Sequence, residues 1–242
     1  MRQFKLRTIA FLKGLILFLR PGLFLNFLSS PLLFVANTFR LTRWVSMQPK
    51  SEILNDFYTP FRNHNKRYEL YNYVLQKEKL ELESIDYLEF GVFGGASFKW
   101  WMNANKSSSS KFYGFDTFEG LPEAWGTYGK GDMSALLPDV DDSRHEFVKG
   151  LFQETLFNFL ATHDIDHNRR VIHMDADLFS STLFVLTTLA KHLKKDDIIF
   201  FDEFNVPNHE FFAFKIFIES FYMRFELLGA VNNFYQVAFK VK

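Results

Sequence analysis

The stretch Tyr87-Leu88-Glu89-Phe90-Gly91-Val92-Phe93-Gly94-Gly95-Ala96-Ser97 decides the fold. A short apolar run ends in a cluster of glycines, and a helical pattern begins near Ser97. Glycine lets the backbone turn sharply and approach a ligand, and the start of a helix offers unpaired N–H groups to an anion. Strand, glycine turn and helix in that order open a doubly wound α/β sheet. A dinucleotide would need glycine at position 93, so that its pyrophosphate could lie on bare backbone, and Phe93 blocks that approach. The pattern suits a smaller cofactor without a pyrophosphate, whose carboxylate can sit at the turn. Asp116, 21 residues past Gly95, closes Tyr113-Gly114-Phe115-Asp116. A carboxylate at that spacing can accept two hydrogen bonds from a ribose diol. The competing reading makes the glycines an ordinary tight turn and Asp116 a helix cap.

Outward from this stretch, short apolar runs alternate with helical patterns. Strands are expected at Tyr87–Val92, Phe112–Phe115, His145–Val148, Arg170–Met174, Ile198–Phe201, Phe225–Ala230 and Tyr235–Val241. Helices are expected at Ser97–Asn105, Gln153–His163, Ser181–Leu193 and His209–Tyr222. Glu52 to Leu80 also reads as helix. Alternation implies a parallel sheet covered on both faces. Only Val231 to Phe234 separate the last two strands, too few residues for a crossover, so these form an antiparallel hairpin. The fold class is therefore α/β: a doubly wound, mostly parallel seven-stranded sheet with a C-terminal antiparallel hairpin and an N-terminal helical extension. Glu119–Asp142 is a long loop bearing glycine and proline, a candidate lid or binding loop, in which Trp125, Tyr128 and Lys130 are candidate acceptor contacts.

The fourth strand ends in His173-Met174-Asp175-Ala176-Asp177 and the fifth in Phe200-Phe201-Asp202-Glu203. The carboxyl ends of parallel strands point into the ligand crevice. Four carboxylates converging there repel one another unless a cation neutralises them, and all-oxygen ligands select a hard ion, Mg²⁺ before Ca²⁺ or Mn²⁺. Such an ion would lower the pKa of an acceptor hydroxyl, and a carboxylate outside its shell would take the proton. The alternative makes Asp177 a helix cap and Asp202 and Glu203 solvated loop residues. His173 reads as a core residue, and His209 as a weaker crevice candidate.

The chain has 242 residues, no cysteine and a formal net charge of zero. Its length fits one α/β domain, residues 51–242, with an extension at residues 1–50. The lack of cysteine excludes a disulfide framework and fits a reducing, cytoplasmic setting. Residues 1–51 carry eight basic side chains and no acid, leaving the rest with a balance of −8. That acidic body argues against nucleic acid as a partner. The extension is basic and apolar, with Pro31 inside its longest uncharged run. It reads either as a peripheral membrane anchor on the cytoplasmic face, through residues 1–45, or as a helical cap or homo-oligomer interface.

Taken together, these stretches resemble one family. The segments Tyr87 to Ser97, Gly114-Phe115-Asp116-Thr117-Phe118-Glu119-Gly120-Leu121-Pro122-Glu123, Lys149-Gly150-Leu151-Phe152, Ile172 to Thr182 and Ile199 to Phe204 are similar, in the same order, to the macrocin O-methyltransferase-like group of class I methyltransferases. The resemblance covers residues 85–242 and implies S-adenosylmethionine as methyl donor, a divalent metal and a sugar hydroxyl as acceptor. It implies Glu89, Gly91, Phe93, Gly95, Ser97 and Asp116 as cofactor positions, Asp175, Asp202 and Glu203 as metal ligands, and Asp177 as general base. Glu203 departs from the pattern, standing where some members have aspartate, which puts metal dependence in doubt. The function expected is a metal-assisted O-methyltransferase acting on a hydroxyl of a sugar or glycosylated metabolite. Two alternatives stay open: a metal-independent N- or carboxyl-methyltransferase, and a non-catalytic membrane-attached binding module of the same fold.

Overall fold

A computed structural model describes residues 2–242. Three helices come first: α1 (Arg2–Leu19), a short α2 (Gly22–Leu25) running through a single 3₁₀ turn (Asn26–Leu28), and α3 (Ser29–Ser46). Pro31 does not interrupt α3, because it lies in the first turn, where no intrahelical N–H partner is required. The body then runs β1 (Leu54–Asn55), α4 (Lys66–Lys77), β2 (Ile85–Phe90), α5 (Ala96–Ala104), β3 (Lys111–Asp116), β4 (His145–Lys149), α6 (Phe152–Thr162) and β5 (Arg169–Met174). It closes with α7 (Phe179–Leu189), β6 (Ile198–Phe201), α8 (Glu210–Phe221), β7 (Phe225–Val231) and β8 (Gln236–Val241).

The strands form one sheet in the order β1-β7-β8-β6-β5-β2-β3-β4. Only β8 runs against its neighbours, pairing antiparallel with β6 and β7. All seven expected strands are present. The eighth, β1, is a two-residue edge strand beside β7, too short to carry a sequence pattern. Glu52 to Leu80 is corrected: only Lys66–Lys77 is helical. The preceding segment is held instead by side chains of the β7–β8 turn, since Asn233 accepts from Thr59 N–H and Asn232 from Asn63 N–H. Such side-chain partners give a backbone an alternative to helix.

The sheet carries a core on each face. Leu88 and Phe90 of β2 meet Phe159, Leu186 and Phe214 from α6, α7 and α8. Ile85 and Tyr87 of the same strand meet Leu70, Phe98 and Trp101 from α4 and α5. This alternation along one strand is what a sheet covered on both sides requires. α3 joins the first core late in its length, with Leu41 buried and Trp44 packed on it.

Gly91 follows β2 at φ +96°, and a Cβ there would stand 1.8 Å from the carbonyl oxygen of Asp175. The two strand ends can meet only because residue 91 has no side chain. Gly91→Ala should therefore destabilise the protein by about 3 kcal/mol or more, a fall in Tm of roughly 6–12 °C in a chain of this size. A melting curve matching the parent would contradict this account of the strand ends.

Candidate active site

The carboxyl ends of β2, β3, β5 and β6 open on a cavity of about 260 Å³, just below the ~300–1,000 Å³ usual for ligand pockets. It brings together Gly91, Phe93, Asp116, Asp175, Asp177, Asp202 and Glu203, with Arg67 reaching in from α4. Leu121, Pro122 and Met133 of the long loop, with Leu151 and Phe152 at the start of α6, add an apolar wall.

On the glycine side, Asp116 is already engaged. Its Oδ2 accepts from the N–H groups of Val92 and Phe93, both at 2.8 Å, and its Oδ1 from Phe118 N–H at 2.7 Å. Oδ2 is thereby saturated, and Oδ1 keeps one lone pair for a ligand hydroxyl. Phe93, at φ +48°, is thrust outward and lines the cavity.

Glu89, Gly95 and Ser97, expected as cofactor positions, stand outside its lining. Glu89 is fully buried beneath the turn, where Ser97 Oγ donates to its Oε1 at 2.6 Å and Tyr87 bonds its Oε2 at 2.5 Å. The Tyr87 hydroxyl also lies 2.9 Å from His173 Nδ1, and Tyr71 approaches His173 Nε2 at 3.3 Å. Burial pushes the Glu89 carboxyl up to about 8 and pulls His173 down to about 3. The chain Ser97–Glu89–Tyr87–His173–Tyr71 is thus an uncharged buried network that braces the turn from below. Gly95, at φ +74°, starts α5 under Pro138, whose Cβ lies 2.9 Å from where a Cβ of residue 95 would stand.

The acidic side is more crowded. Asp177 sits at φ +56°, a left-handed conformation uncommon outside glycine that turns the chain from β5 toward α7. Burial raises its carboxyl to about 6, with contact from the Glu203 carboxyl opposing and Asp202 and Asp116 adding to the rise. Burial, with Asp177 next, pushes Glu203 up to about 8, although Tyr235 donates a hydrogen bond to its Oε1. Asp175 and Glu210 are displaced well upward, burial leading in both. Glu210, on the first turn of α8, accepts from Glu203 N–H at 2.9 Å. At neutral pH Glu203 therefore holds a proton while its neighbour Asp177 is mostly ionised.

Arg67 pairs directly with this cluster, while Arg62 and His64 add weaker attraction to Asp202. Arg67 Nη2 lies 2.8 Å from Asp202 Oδ2. Burial alone would lower the guanidinium pKa, but Asp202 foremost, with Asp175 and two tyrosines, raises it on balance. Burial still leaves Asp202 above its ordinary value, with Arg67 opposing.

The expected metal ligands Asp175, Asp202 and Glu203 all line the cavity, without being gathered into a metal-holding group. Among the described residues, no three His, Cys, Asp or Glu side chains are spaced to hold a metal ion. Arg67 and Tyr235 hold one oxygen each of Asp202 and Glu203, and the second oxygens, Asp202 Oδ1 and Glu203 Oε2, are buried without partners.

Of the weaker candidates, His209 stays outside the cavity, its ring 6.5 Å from Trp125. Trp125 stacks on Tyr128 at 5.4 Å, and neither they nor Lys130 reach the cavity wall. Arg67, Tyr235 and Glu210 carry no motif in the sequence. The available signal for Arg67 was Tyr71 one turn later on the same face of α4.

Residues 88–204 match a family described as "Methyltransferase domain". Among solved structures, the chain is similar to CalS11, described as a calicheamicin methyltransferase (19% identity, TM-score 0.55, covering 85% of this chain and 91% of that one). It is also similar to the O-methyltransferase NovP (20% identity, TM-score 0.53, 71% and 78%). A CmcI structure described with Mg-SAM matches at 16% identity and TM-score 0.51, covering 84% of each chain. No curated protein matches the sequence. The fold is the Rossmann-like fold of class I methyltransferases.

Glu89 and Glu203, ordinarily near 4.5, each rise to about 8 on folding. The folded chain therefore binds these protons more tightly than the unfolded chain does. The resulting stability is complete below about 4.5 and is lost as pH rises through about 8. Glu89→Gln mimics the protonated group. It should preserve the fold and shrink the drop in Tm between about pH 6 and about pH 9. An unchanged drop would mean that Glu89 is ionised in the folded protein.

Proposed function

We propose that the chain is an S-adenosylmethionine-dependent O-methyltransferase acting on a hydroxyl of a sugar or glycosylated metabolite. One observation carries this reading: a single cavity joins the glycine turn and Asp116 to Asp177, a carboxylate with a pKa of about 6. CalS11 and NovP, described as a calicheamicin methyltransferase and an O-methyltransferase, support the choice of reaction. The sugar class follows from the resemblance of the segments around Asp116 and Asp177.

The residues present fit the donor. Asp116 offers the free lone pair of its Oδ1 to a ribose hydroxyl, and the apolar wall suits an adenine ring. When bound, the donor supplies an electrophilic methyl group on a sulfonium and leaves as a thioether. Asp177 takes the acceptor's proton as the acceptor oxygen bonds to the methyl carbon. A carboxylate of raised pKa is a stronger base than an ordinary one, yet stays ionised at neutral pH. The neighbouring Glu203 keeps its own proton and so leaves Asp177 as the available base.

In this arrangement the described carboxylates form no metal-holding group. Arg67 supplies the positive charge beside Asp202 and orients that side of the cavity. Methyl transfer should accordingly persist in excess EDTA and fall at least ~10-fold in Arg67→Met. Loss of activity on chelation, restored by Mg²⁺, would displace Arg67 from this role.

Asp177→Asn should lower kcat by roughly 10²–10⁴-fold and abolish the rise in rate through about pH 6 that the parent shows. Asp116→Ala should weaken S-adenosylmethionine binding about 10-fold or more by calorimetry. If labelled S-adenosylmethionine binds but gives no methylated product with any glycoside or sugar nucleotide, the enzymatic reading fails in favour of a binding module.

A further inference from the structure

The helices before the catalytic body present an apolar surface of unusual extent. Twenty large apolar side chains between Phe4 and Phe39 are exposed, among them Phe18 (81%), Phe24 (76%) and Phe27 (72%), and α1 buries no residue at all. Soluble surfaces rarely expose contiguous apolar patches beyond a few hundred Å² unless something covers them. The charge identifies the cover. Arg2, Lys5, Arg7, Lys13 and Arg20 accompany these side chains, with no acid before residue 52.

At the helical period, Arg2, Lys5 and Lys13 fall within roughly 80° of one another on α1, and Phe4, Phe11, Leu15 and Phe18 within roughly 60° on a separate stripe. Arg7 falls at the edge of the apolar stripe, and Ile9 and Ile16 fall within the basic sector, so apolar side chains extend around most of α1. Lysine and arginine interspersed among exposed phenylalanine and leucine, with no acid, suit a helix embedded in the headgroup and upper acyl layer of an anionic membrane. A second copy of the same chain would bring like charges together on this surface.

By length and composition, Gly22–Ser46 could cross a bilayer. Its last turns, however, belong to the catalytic body. Asn37 is buried and donates to Asn208 Oδ1 at 2.9 Å, and Arg40 donates to Asn37 Oδ1 at 2.9 Å. Leu41 lies in the core, and the Trp44 ring packs on Phe204 at 5.1 Å and Phe234 at 5.8 Å. Residues 22–36 remain free, roughly 22 Å of helix at 1.5 Å per residue, against about 30 Å of hydrocarbon. α1 has more length but carries Lys13 near its middle.

We propose that residues 2–36 form a monotopic anchor, embedded in one leaflet of an anionic membrane. Both ends of the anchor and the catalytic body lie on the same side. The docked part of α3 fixes the β6–α8 loop, and with it Asp202 and Glu203, to that anchor.

The full chain is mixed with phosphatidylcholine vesicles with and without phosphatidylglycerol, then floated on a density gradient. At least tenfold more protein should float with the anionic vesicles. Phe18→Glu combined with Phe24→Glu should abolish flotation while leaving a folded circular dichroism spectrum. The absence of native cysteine makes sidedness readable. On bound protein, Gln3→Cys and Ser108→Cys should both react with an impermeant maleimide before detergent is added. Protection of Gln3→Cys until detergent would show a spanning helix and overturn the one-leaflet anchor. Failure to float, with a dimer in solution, would show that a second copy covers the surface and overturn the membrane assignment. Neither result bears on methyl transfer, which is assayed with soluble acceptors.

Discussion

The meeting of the β2 and β5 ends holds the site together. Gly91 lets the Asp175 carbonyl pass through the space a side chain would fill. Asp175 N–H in turn bonds the Phe90 carbonyl at 2.9 Å, and Gly91 N–H the Phe115 carbonyl at 2.9 Å. These contacts bring the glycine turn, Asp116 and the acidic segment into one crevice. If the strand ends were splayed, donor and base would lie apart, however well each was formed.

Burial creates the electrostatic character of that crevice, and very few cations relieve it. Asp175, Asp177, Asp202, Glu203 and Glu210 all lie above their ordinary pKa values, burial being the leading cause in each. A cluster of this kind stays folded by holding protons and by pairing with Arg67. The division of labour follows from unequal neighbours. Tyr235 and Glu210 flank Glu203, whereas Asp177 faces the open cavity and ionises first. On the donor side, burial instead neutralises Glu89 and His173, so the turn rests on a network with no formal charge.

Much of this was legible in the sequence, because local rules carried it. Strand and helix periodicity placed all seven principal strands, and the four-residue gap before Tyr235 fixed the antiparallel end. The glycine spacing and the paired acidic segments led to the crevice. Long-range partners were not legible. Nothing around Arg67 announces that it will face Asp202, so this part of the charge balance is hidden in the sequence. Glu89 reads as a ligand contact because the sequence places it at the end of a strand leading into the turn, and does not reveal its buried partners Tyr87 and Ser97. Glu52 to Asn65 looked helical, since its backbone partners, Asn232 and Asn233, come from the far end of the chain.

The long loop between β3 and β4 is fastened by modest ties. Ser180 Oγ donates to Glu123 at 2.7 Å, Lys149 pairs with Glu119 in solvent, and Pro138 rests on Gly95. An exposed ion pair is worth about 0–1 kcal/mol, so raising this flap costs little beside the energy of the sheet below it. Local breathing of this surface segment would uncover the cavity without disturbing the strand ends around it.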